Sequence, residues 1–423
     1  MSWNLLRGKL NRDMVWSMGG LAIFAVAGFC LNALIGRFYG AAALGLFNLV
    51  LALYLILAQV CVGGMYFSVL RYASEYAEDK EALGEILVNA LVVALGVSLV
   101  ICGGVFVLRH SIGGFFASPD LALGLLCILP GLVVFALNKI YAALVNSMRH
   151  MRFLALVTAL RGGLIVSFAY AFYRADLAAS LLPLALSGAE VVLFLLFTAF
   201  VFGPAGVPIS RFGRAWLDRH LRFGWRVFLS GFLIDVNPRI DLLMLAYFSG
   251  DRAVGIYSMA AMIAEGLYQL PVVVQLNINP IIARLGVVGQ LSELRRMVWR
   301  ANVLLEPAML VVISILALGY EELILFLTDD FAFVEGQLSC GILGLGIALS
   351  SGYIAFSMLL SQCGYPGRYT AFLGLHVCTN IALNALLIPL LGMEGAAVAS
   401  SVALLLSILY LKLFTWRTLK VWV

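Results

Sequence analysis

The chain has 423 residues, of which 63% are hydrophobic and 12% are charged. Soluble domains carry about 25% charged residues, and a soluble core of this length could not bury so much apolar surface. The composition therefore excludes a soluble protein and indicates a polytopic membrane protein. The formal net charge of +5 gains meaning only when the charges are assigned to sides of the membrane.

Apolar segments follow one another along the chain, each long enough to cross about 30 Å of hydrocarbon at about 1.5 Å per residue. Twelve are separable, at 14–36, 44–68, 86–108, 121–144, 153–173, 181–202, 227–248, 254–278, 301–319, 338–361, 369–391 and 396–414. The first follows a basic stretch, as in a signal peptide, but its apolar run continues to Gly36. We therefore predict a retained first helix and an all-α fold of twelve transmembrane helices.

Lysine and arginine residues are distributed unevenly between the two sides that these segments define. If the N-terminus is cytoplasmic, 20 of the 27 fall on that side and four on the other, and three lie inside segments. An excess of basic residues is typical of cytoplasmic loops. The sequence therefore predicts a multi-pass protein of the cell inner (plasma) membrane with both termini in the cytoplasm.

A short internal repeat relates the two halves of the chain. The stretch "FYGAAALGLF" (38–47) matches "FSGDRAVGIY" (248–257) at an offset of 210 residues, with four identical positions. Because this offset spans an even number of helices, the two halves share one orientation, as in transporters whose six-helix repeats are related by an axis along the membrane normal. We predict lobes at 1–202 and 227–423, joined by a basic cytoplasmic linker at 203–226.

The sequence shows no motif for binding a metal ion or a nucleotide. None of the seven cysteines has metal-ligand or CxxC spacing, and the four histidines are scattered. No cofactor or metal site is therefore indicated. No Walker A motif is present, so ATP is not expected to be the direct energy source.

Charged residues inside the seventh segment raise the sharpest question, because an ionised side chain at bilayer depth costs at least about 2.5–3.5 kcal/mol. Asp235, Arg239 and Asp241 lie there, around Pro238. Asp235 and Arg239 are four residues apart and could pair on one helical face. Such a pair could lock the packing of helices, or it could belong to a cavity that holds a charged ligand.

Other polar residues lie at membrane depth. Arg161 is about 12 Å into its segment by helical rise, which favours a role in a cavity, whereas Lys139 is near enough to its helix end to snorkel. Glu265 begins a polar stripe on the eighth segment, and His376, Asn380 and Asn384 form another at four-residue spacing on the eleventh. Polar stripes often connect helices instead of binding ligands, so both interpretations stay open.

Several stretches, taken in order, resemble one protein family. They are "GLFNLVLALY", "GIYSMAAMIAEGLYQLPVVVQLNINPIIARL" and "CGYPGRYTAFLGLHVCTNIALNALLIPLLGMEGAAVASSV". Together they are similar to polysaccharide flippases of the multidrug/oligosaccharidyl-lipid/polysaccharide exporter superfamily. The resemblance implies two six-helix lobes around a cavity that opens alternately to each side, and a lipid-linked oligosaccharide or polysaccharide precursor as substrate. It implies a transporter and not an enzyme.

Such a substrate carries a phosphate or pyrophosphate and many hydroxyl groups, so its cavity needs fixed cations and amides. The candidate substrate-binding residues are Arg239, Arg161, Lys139, His376 and Asn380. The candidates for pairing with those cations, or for binding a coupling proton or sodium ion, are Asp235, Asp241 and Glu265.

Two alternative functions stay open at this point. A cation-coupled drug or metabolite antiporter would have the same fold, but it would favour an acidic, aromatic pocket over a basic one. A membrane polysaccharide polymerase or ligase would usually present a large outer loop, whereas the longest outer loop here, residues 320–337, is short and acidic.

Overall fold

The computed structural model describes residues 3–422, and at residues 3–12, Met14, Ser230, Val287 and Leu291 it describes the backbone alone. The side chains of Arg7, Lys9 and Arg12, which contribute to the predicted orientation, therefore lie outside the described residues. Within residues 3–422 the regular structure is entirely helical. This confirms the all-α fold expected from the hydrophobic segments.

Thirteen α-helices follow one another along the described residues, with three short 3₁₀ turns between them. The helices are α1 (Trp3–Val62), α2 (Met65–Glu75), α3 (Lys80–Phe115), α4 (Leu121–Ser147), α5 (Met151–Arg174), α6 (Leu184–Phe202), α7 (Arg214–Val236), α8 (Ile240–Val288), α9 (Leu291–Leu318), α10 (Tyr320–Thr328), α11 (Gln337–Ile354), α12 (Leu359–Gln362) and α13 (Pro366–Leu419).

Three of these helices are kinked at a glycine, and each of the three contains two of the predicted membrane segments. The described residues contain nine helical spans long and apolar enough to cross a membrane. Gly40, Gly250 and Gly392 adopt non-helical backbone angles inside α1, α8 and α13. Each kinked span therefore holds two of the predicted segments, and the nine spans account for all twelve.

The chain packs as two compact units. The first unit comprises Met1–Tyr39 and Val50–Asp235, and the second comprises Gly40–Leu49 and Val236–Val423. These units are defined by packing, and their borders fall inside helices. The lobes predicted at 1–202 and 227–423 are defined by the repeat, and they stay a prediction.

The second unit brings the two copies of the internal repeat together. Gly40 (φ 83°, ψ 177°) and Gly250 (φ 76°, ψ 177°) have nearly the same backbone angles, which side chains with a Cβ rarely adopt. Asn48 donates a hydrogen bond of 2.8 Å to Ser258, which lies 210 residues later and is therefore its counterpart in the second half of the chain. The repeat seen in the sequence is thus also a repeat of conformation, and equivalent residues contact one another.

The closest approach in this contact occurs between backbones. A Cβ added at Gly45 would overlap the carbonyl of Asp251, and one added at Gly255 would overlap the carbonyl of Ala41. Both glycines are therefore needed for the α1 and α8 backbones to approach so closely, as small residues do at other helix contacts in membranes.

We expect Gly255→Ala to destabilise the second unit, because the new methyl group would force backbone atoms apart at a cost of about 1–3 kcal/mol. Gly266→Ala is the matched control on the same helix, since no atom lies within 4 Å of a Cβ built there. Thermal unfolding of the purified protein in detergent should show a lower Tm for the first variant alone. Equal Tm values would contradict a tight contact at Gly255.

In the first unit, α7 is anchored by a buried histidine. One ring nitrogen of His220, Nδ1, lies 2.8 Å from the Ser68 hydroxyl, and the other, Nε2, lies 3.2 Å from the carbonyl oxygen of Ile86. Burial lowers the pKa of His220 to about 4, so the ring is neutral near pH 7. Residues 214–226 of the predicted linker thus form an ordered, anchored helix.

Residues 203–226, the predicted linker, also contain basic residues that indicated a cytoplasmic location. All five arginines of the segment are exposed: Arg211, Arg214, Arg219, Arg222 and Arg226. Their exposure and the burial of His220 give α7 one face toward the core and one face away from it.

The helix breaks where Pro238 predicts a break. Helix α7 ends at Val236, a 3₁₀ turn covers Asn237–Arg239, and α8 begins at Ile240. The α-helical spacing that predicted a pair between Asp235 and Arg239 is therefore interrupted, and their pairing stays a prediction.

Candidate functional site

The first unit contains a cavity of about 170 Å³ beside the end of α1. Its polar lining groups are Gln59, Lys139 and Asp235. Gln59 donates a hydrogen bond from its amide to the Asp235 carboxylate. Four aromatic side chains complete its walls: Tyr66, Phe67, Phe228 and Phe232. A few converging polar groups on an otherwise apolar wall are typical of small-molecule sites. At about 170 Å³ this cavity is smaller than the roughly 300–1,000 Å³ usual for a whole ligand, so it can hold only part of a large one.

Lys139 and Arg161, two of the candidate substrate-binding residues, have their cationic groups near the same aromatic ring. The Lys139 ammonium is 5.4 Å from the centre of the Phe135 ring, and the Arg161 guanidinium is also 5.4 Å from it. Both distances fall within the range of cation–π attraction. Two cations are thus held side by side, and one of them lines the cavity.

Arg161 has a specific counter-ion. Its Nε lies 2.7 Å from one carboxylate oxygen of Glu190, and its Nη2 donates to the other at 3.2 Å. Asn138 donates to the same carboxylate at 2.8 Å. Glu190 is 3% exposed and Arg161 21%, so the acid is buried while the guanidinium keeps some access. This arrangement gives Arg161 a structural pairing, and it leaves its predicted role in substrate binding a prediction.

The second unit holds a different cluster, around Asp241 in the first turn of α8. Its carboxylate accepts hydrogen bonds from the Tyr257 hydroxyl at 2.5 Å, the Ser400 hydroxyl at 3.3 Å and its neighbour's backbone amide at 3.0 Å. Arg239 is close enough to Asp241 for their charges to interact, and Glu265 is close enough to both of them. Three predicted residues are therefore electrostatic neighbours.

The polar stripe on α13 lies in the interior of the second unit. His376 and Asn380 are 9% and 5% exposed, and Asn384 is fully buried. Asn384 donates to both oxygens of Asn380, at 2.8 and 2.9 Å, and the His376 ring bonds to the backbone of Ala403. These contacts join turns of α13 and its two arms. A role of His376 and Asn380 in substrate binding stays a prediction.

Sequence reasoning placed the charges but missed their partners. Glu190 was visible only as a single acid in an apolar segment, 29 residues from Arg161. Tyr257 lay inside the repeat motif, and nothing in its local sequence pointed to Asp241, 16 residues earlier. Gln59 had no neighbouring charge in the sequence at all. Contacts of this kind depend on packing between helices and leave no local signal.

One curated relative matches about half of the chain. The chain is 26% identical over 204 residues to a protein described as a probable flippase, AglR, of Haloferax volcanii. The match covers 47% of this chain and 39% of the relative. The chain thus matches about two fifths of the length of this relative.

Solved structures show the fold over nearly the whole chain. The lipid II flippase MurJ, in an inward closed conformation, matches with a TM-score of 0.78 over 96% of this chain and 88% of its own, at 15% identity. A multidrug resistance MATE family transporter of the MOP superfamily, in an inward-facing conformation, matches with a TM-score of 0.76 over 96% of this chain and 99% of its own, also at 15% identity. At such identities the likeness concerns the fold.

The family itself is shown by sequence. A family model described as a polysaccharide biosynthesis protein matches residues 10–285, well over half of the chain. The matched region includes the lining residues of the cavity in the first unit, the neighbouring Arg161, and Asp241 with Tyr257 and Glu265, but it ends before Ser400. The chain belongs to this family of polysaccharide biosynthesis proteins.

Proposed function

We propose that this protein is a secondary transporter that flips a lipid-linked oligosaccharide or polysaccharide precursor from the cytoplasmic to the outer leaflet by alternating access. Family membership, the flippase name of the curated relative and the transporter fold support this proposal. The same observations favour a transporter over a polysaccharide polymerase or ligase. We place it in the plasma membrane with both termini in the cytoplasm, from the distribution of its basic residues.

The cavity of the first unit carries the proposal. Aromatic walls suit the apolar faces of sugar rings, and Gln59 and Asp235 can hydrogen-bond to hydroxyl groups. Lys139 supplies a cation to a phosphate or pyrophosphate, and Arg161 adds positive charge next to it. An acidic, aromatic pocket, as expected for a drug antiporter, would not place a cation such as Lys139 in its lining.

A coupling ion would bind elsewhere. Asp241 has hydrogen-bond donors around it, and in the described part of the chain no ion pair within 4 Å involves it. A carboxylate of this kind can bind a proton or a sodium ion and release it again. We propose Asp241, with Glu265 nearby, as the coupling group in the second unit.

The function is tested by replacing Lys139. We expect Lys139→Gln to reduce flipping of a fluorescent polyprenyl-diphosphate-linked glycan in proteoliposomes by about tenfold or more, since a hydrogen bond to a charged group is worth about 1.5–3 kcal/mol. Accessibility of the labelled glycan to an external glycosidase measures the rate.

Lys420→Gln, an exposed position just after α13, is the control and should retain full flipping. Efflux of a cationic dye is measured in the same vesicles. If the wild-type protein exported the dye but not the glycan, the flippase proposal would be wrong and the antiporter correct. Full glycan flipping by Lys139→Gln would remove this cavity from the mechanism.

A further inference from the structure

The second unit contains a larger cavity that includes none of the residues discussed so far. Its volume is about 530 Å³, and it lies between α9, α11 and the end of α13. Cavities that bind small molecules usually measure about 300–1,000 Å³, so this one is large enough for a ligand. Its charged and aromatic lining residues are Arg295, Trp299, Glu306, Tyr353, Lys412 and Trp422.

One wall of this cavity belongs to α9, a helix with an exposed apolar surface. Large apolar side chains of α9 are exposed along its length, among them Leu304 at 73% and Ile315 at 66%. In a multi-pass membrane protein, such side chains contact acyl chains. Because Trp299 and Val303 on the same helix line the cavity, the cavity lies beside the lipid-facing surface of the second unit.

The cavity runs for about three helical turns along α9. Arg295 and Glu306 are eleven residues apart on α9, which corresponds to about 16 Å along a helix. Trp299 and Trp422 are 64% and 48% exposed, and tryptophan is enriched where headgroups meet acyl chains. A molecule that fills this cavity would therefore need one polar end and one apolar end.

The charges of the cavity suit an anion at its polar end. Arg295 and Lys412 are cations, and Glu306 is the single acid among the lining residues. The charge of Lys412 acts on Glu306, and the Lys412 ammonium lies 4.9 Å from the centre of the Tyr353 ring. Two cations against one acid give the charged lining residues of this cavity a net positive charge.

We propose that this cavity is a binding site for an anionic membrane phospholipid. Arg295 and Lys412 bind the phosphate of the headgroup, Trp299 and Trp422 flank the glycerol region, and an acyl chain runs along Val303. Basic pockets between membrane helices bind anionic headgroups in this way. The site is separate from the proposed substrate cavity, and it would exist whichever substrate the protein carries.

The test uses the full-length protein in nanodiscs and phosphatidylglycerol that carries a photoactivatable diazirine in its acyl chain. After irradiation, mass spectrometry of peptides should place the label on α9 and the end of α13. We expect Arg295→Gln/Lys412→Gln to lower labelling of these peptides about tenfold or more, since each basic residue contributes substantially to the attraction of anionic lipid. Arg295→Gln alone changes an exposed residue and should give an intermediate loss.

Arg296→Gln is the matched control, because Arg296 is the next residue, forms an ion pair with Glu293 at 2.9 Å and does not line the cavity. Equal labelling of all three variants would overturn the proposal, as would equal labelling by a phosphatidylcholine probe. Displacement of the probe by an equimolar amount of polyprenyl phosphate would assign the site to the carrier lipid and overturn the phospholipid assignment.

Discussion

Arg161→Ala is expected to destabilise the first unit by about 3–5 kcal/mol, because it removes the counter-ion of a buried carboxylate. Glu190 is 3% exposed and bound on both oxygens by Arg161. After the substitution, Asn138 would be its remaining side-chain donor among the described residues. Thermal unfolding in detergent measures the effect, and we expect a clearly lower Tm and a poor yield of folded protein.

The double variant Arg161→Met/Glu190→Gln separates pairing from substrate binding. It removes both charges, so most of the lost stability should return, since apolar or neutral replacements of buried ion pairs are often tolerated. If Arg161 also binds the substrate phosphate, the double variant should be folded and still fail to flip the glycan. If it flips normally, Arg161 is purely a packing residue.

Arg174→Ala controls for a general effect of removing an arginine, because Arg174 is exposed at the end of the same helix. It should leave both stability and flipping unchanged. A Tm for Arg161→Ala that equals that of Arg174→Ala would show that the ion pair contributes nothing to the stability of the first unit.

The sequence predicts the helices far better than it predicts which side chains meet between them, and the ion pair between Arg161 and Glu190 shows why. The depth of Arg161 follows from counting residues along one apolar segment, since a membrane helix must satisfy its own backbone hydrogen bonds. Its partner Glu190 lies on α6, and the side chains meet because α5 and α6 pack together. Nothing in either segment alone specifies that contact.

Backbone breaks were predictable for a related reason. Pro238 removes a backbone hydrogen-bond donor, and a 3₁₀ turn occurs there. The glycines at 40 and 250 recur in the repeat, and both take the positive φ that glycine alone adopts readily. By contrast, the contacts of His376 and Asn380 within α13 depend on how its two arms pack, and their role in substrate binding stays a prediction.

A second large effect is expected at Asp241. We predict that Asp241→Asn abolishes flipping driven by an imposed proton or sodium gradient, while exchange of labelled glycan without a gradient continues. Asparagine has nearly the same shape and keeps one oxygen for Tyr257, which donates at 2.5 Å, and for Ser400. It cannot carry the negative charge that a coupling ion must neutralise. Gradient-driven and gradient-free flipping are measured in the same proteoliposomes.

A coupling residue and a packing residue affect these two rates differently. A residue that only stabilises packing would lower both rates together, whereas a coupling residue loses the response to the gradient alone. Tyr257→Phe removes one hydrogen bond and leaves the carboxylate charged, so we expect it to keep a reduced response. Glu321→Gln, an exposed acid in the first turn of α10, should behave as the wild-type protein does. An undiminished gradient response in Asp241→Asn would exclude this carboxylate as the coupling group and leave Glu265, the other acid of the cluster, as the residue to replace next.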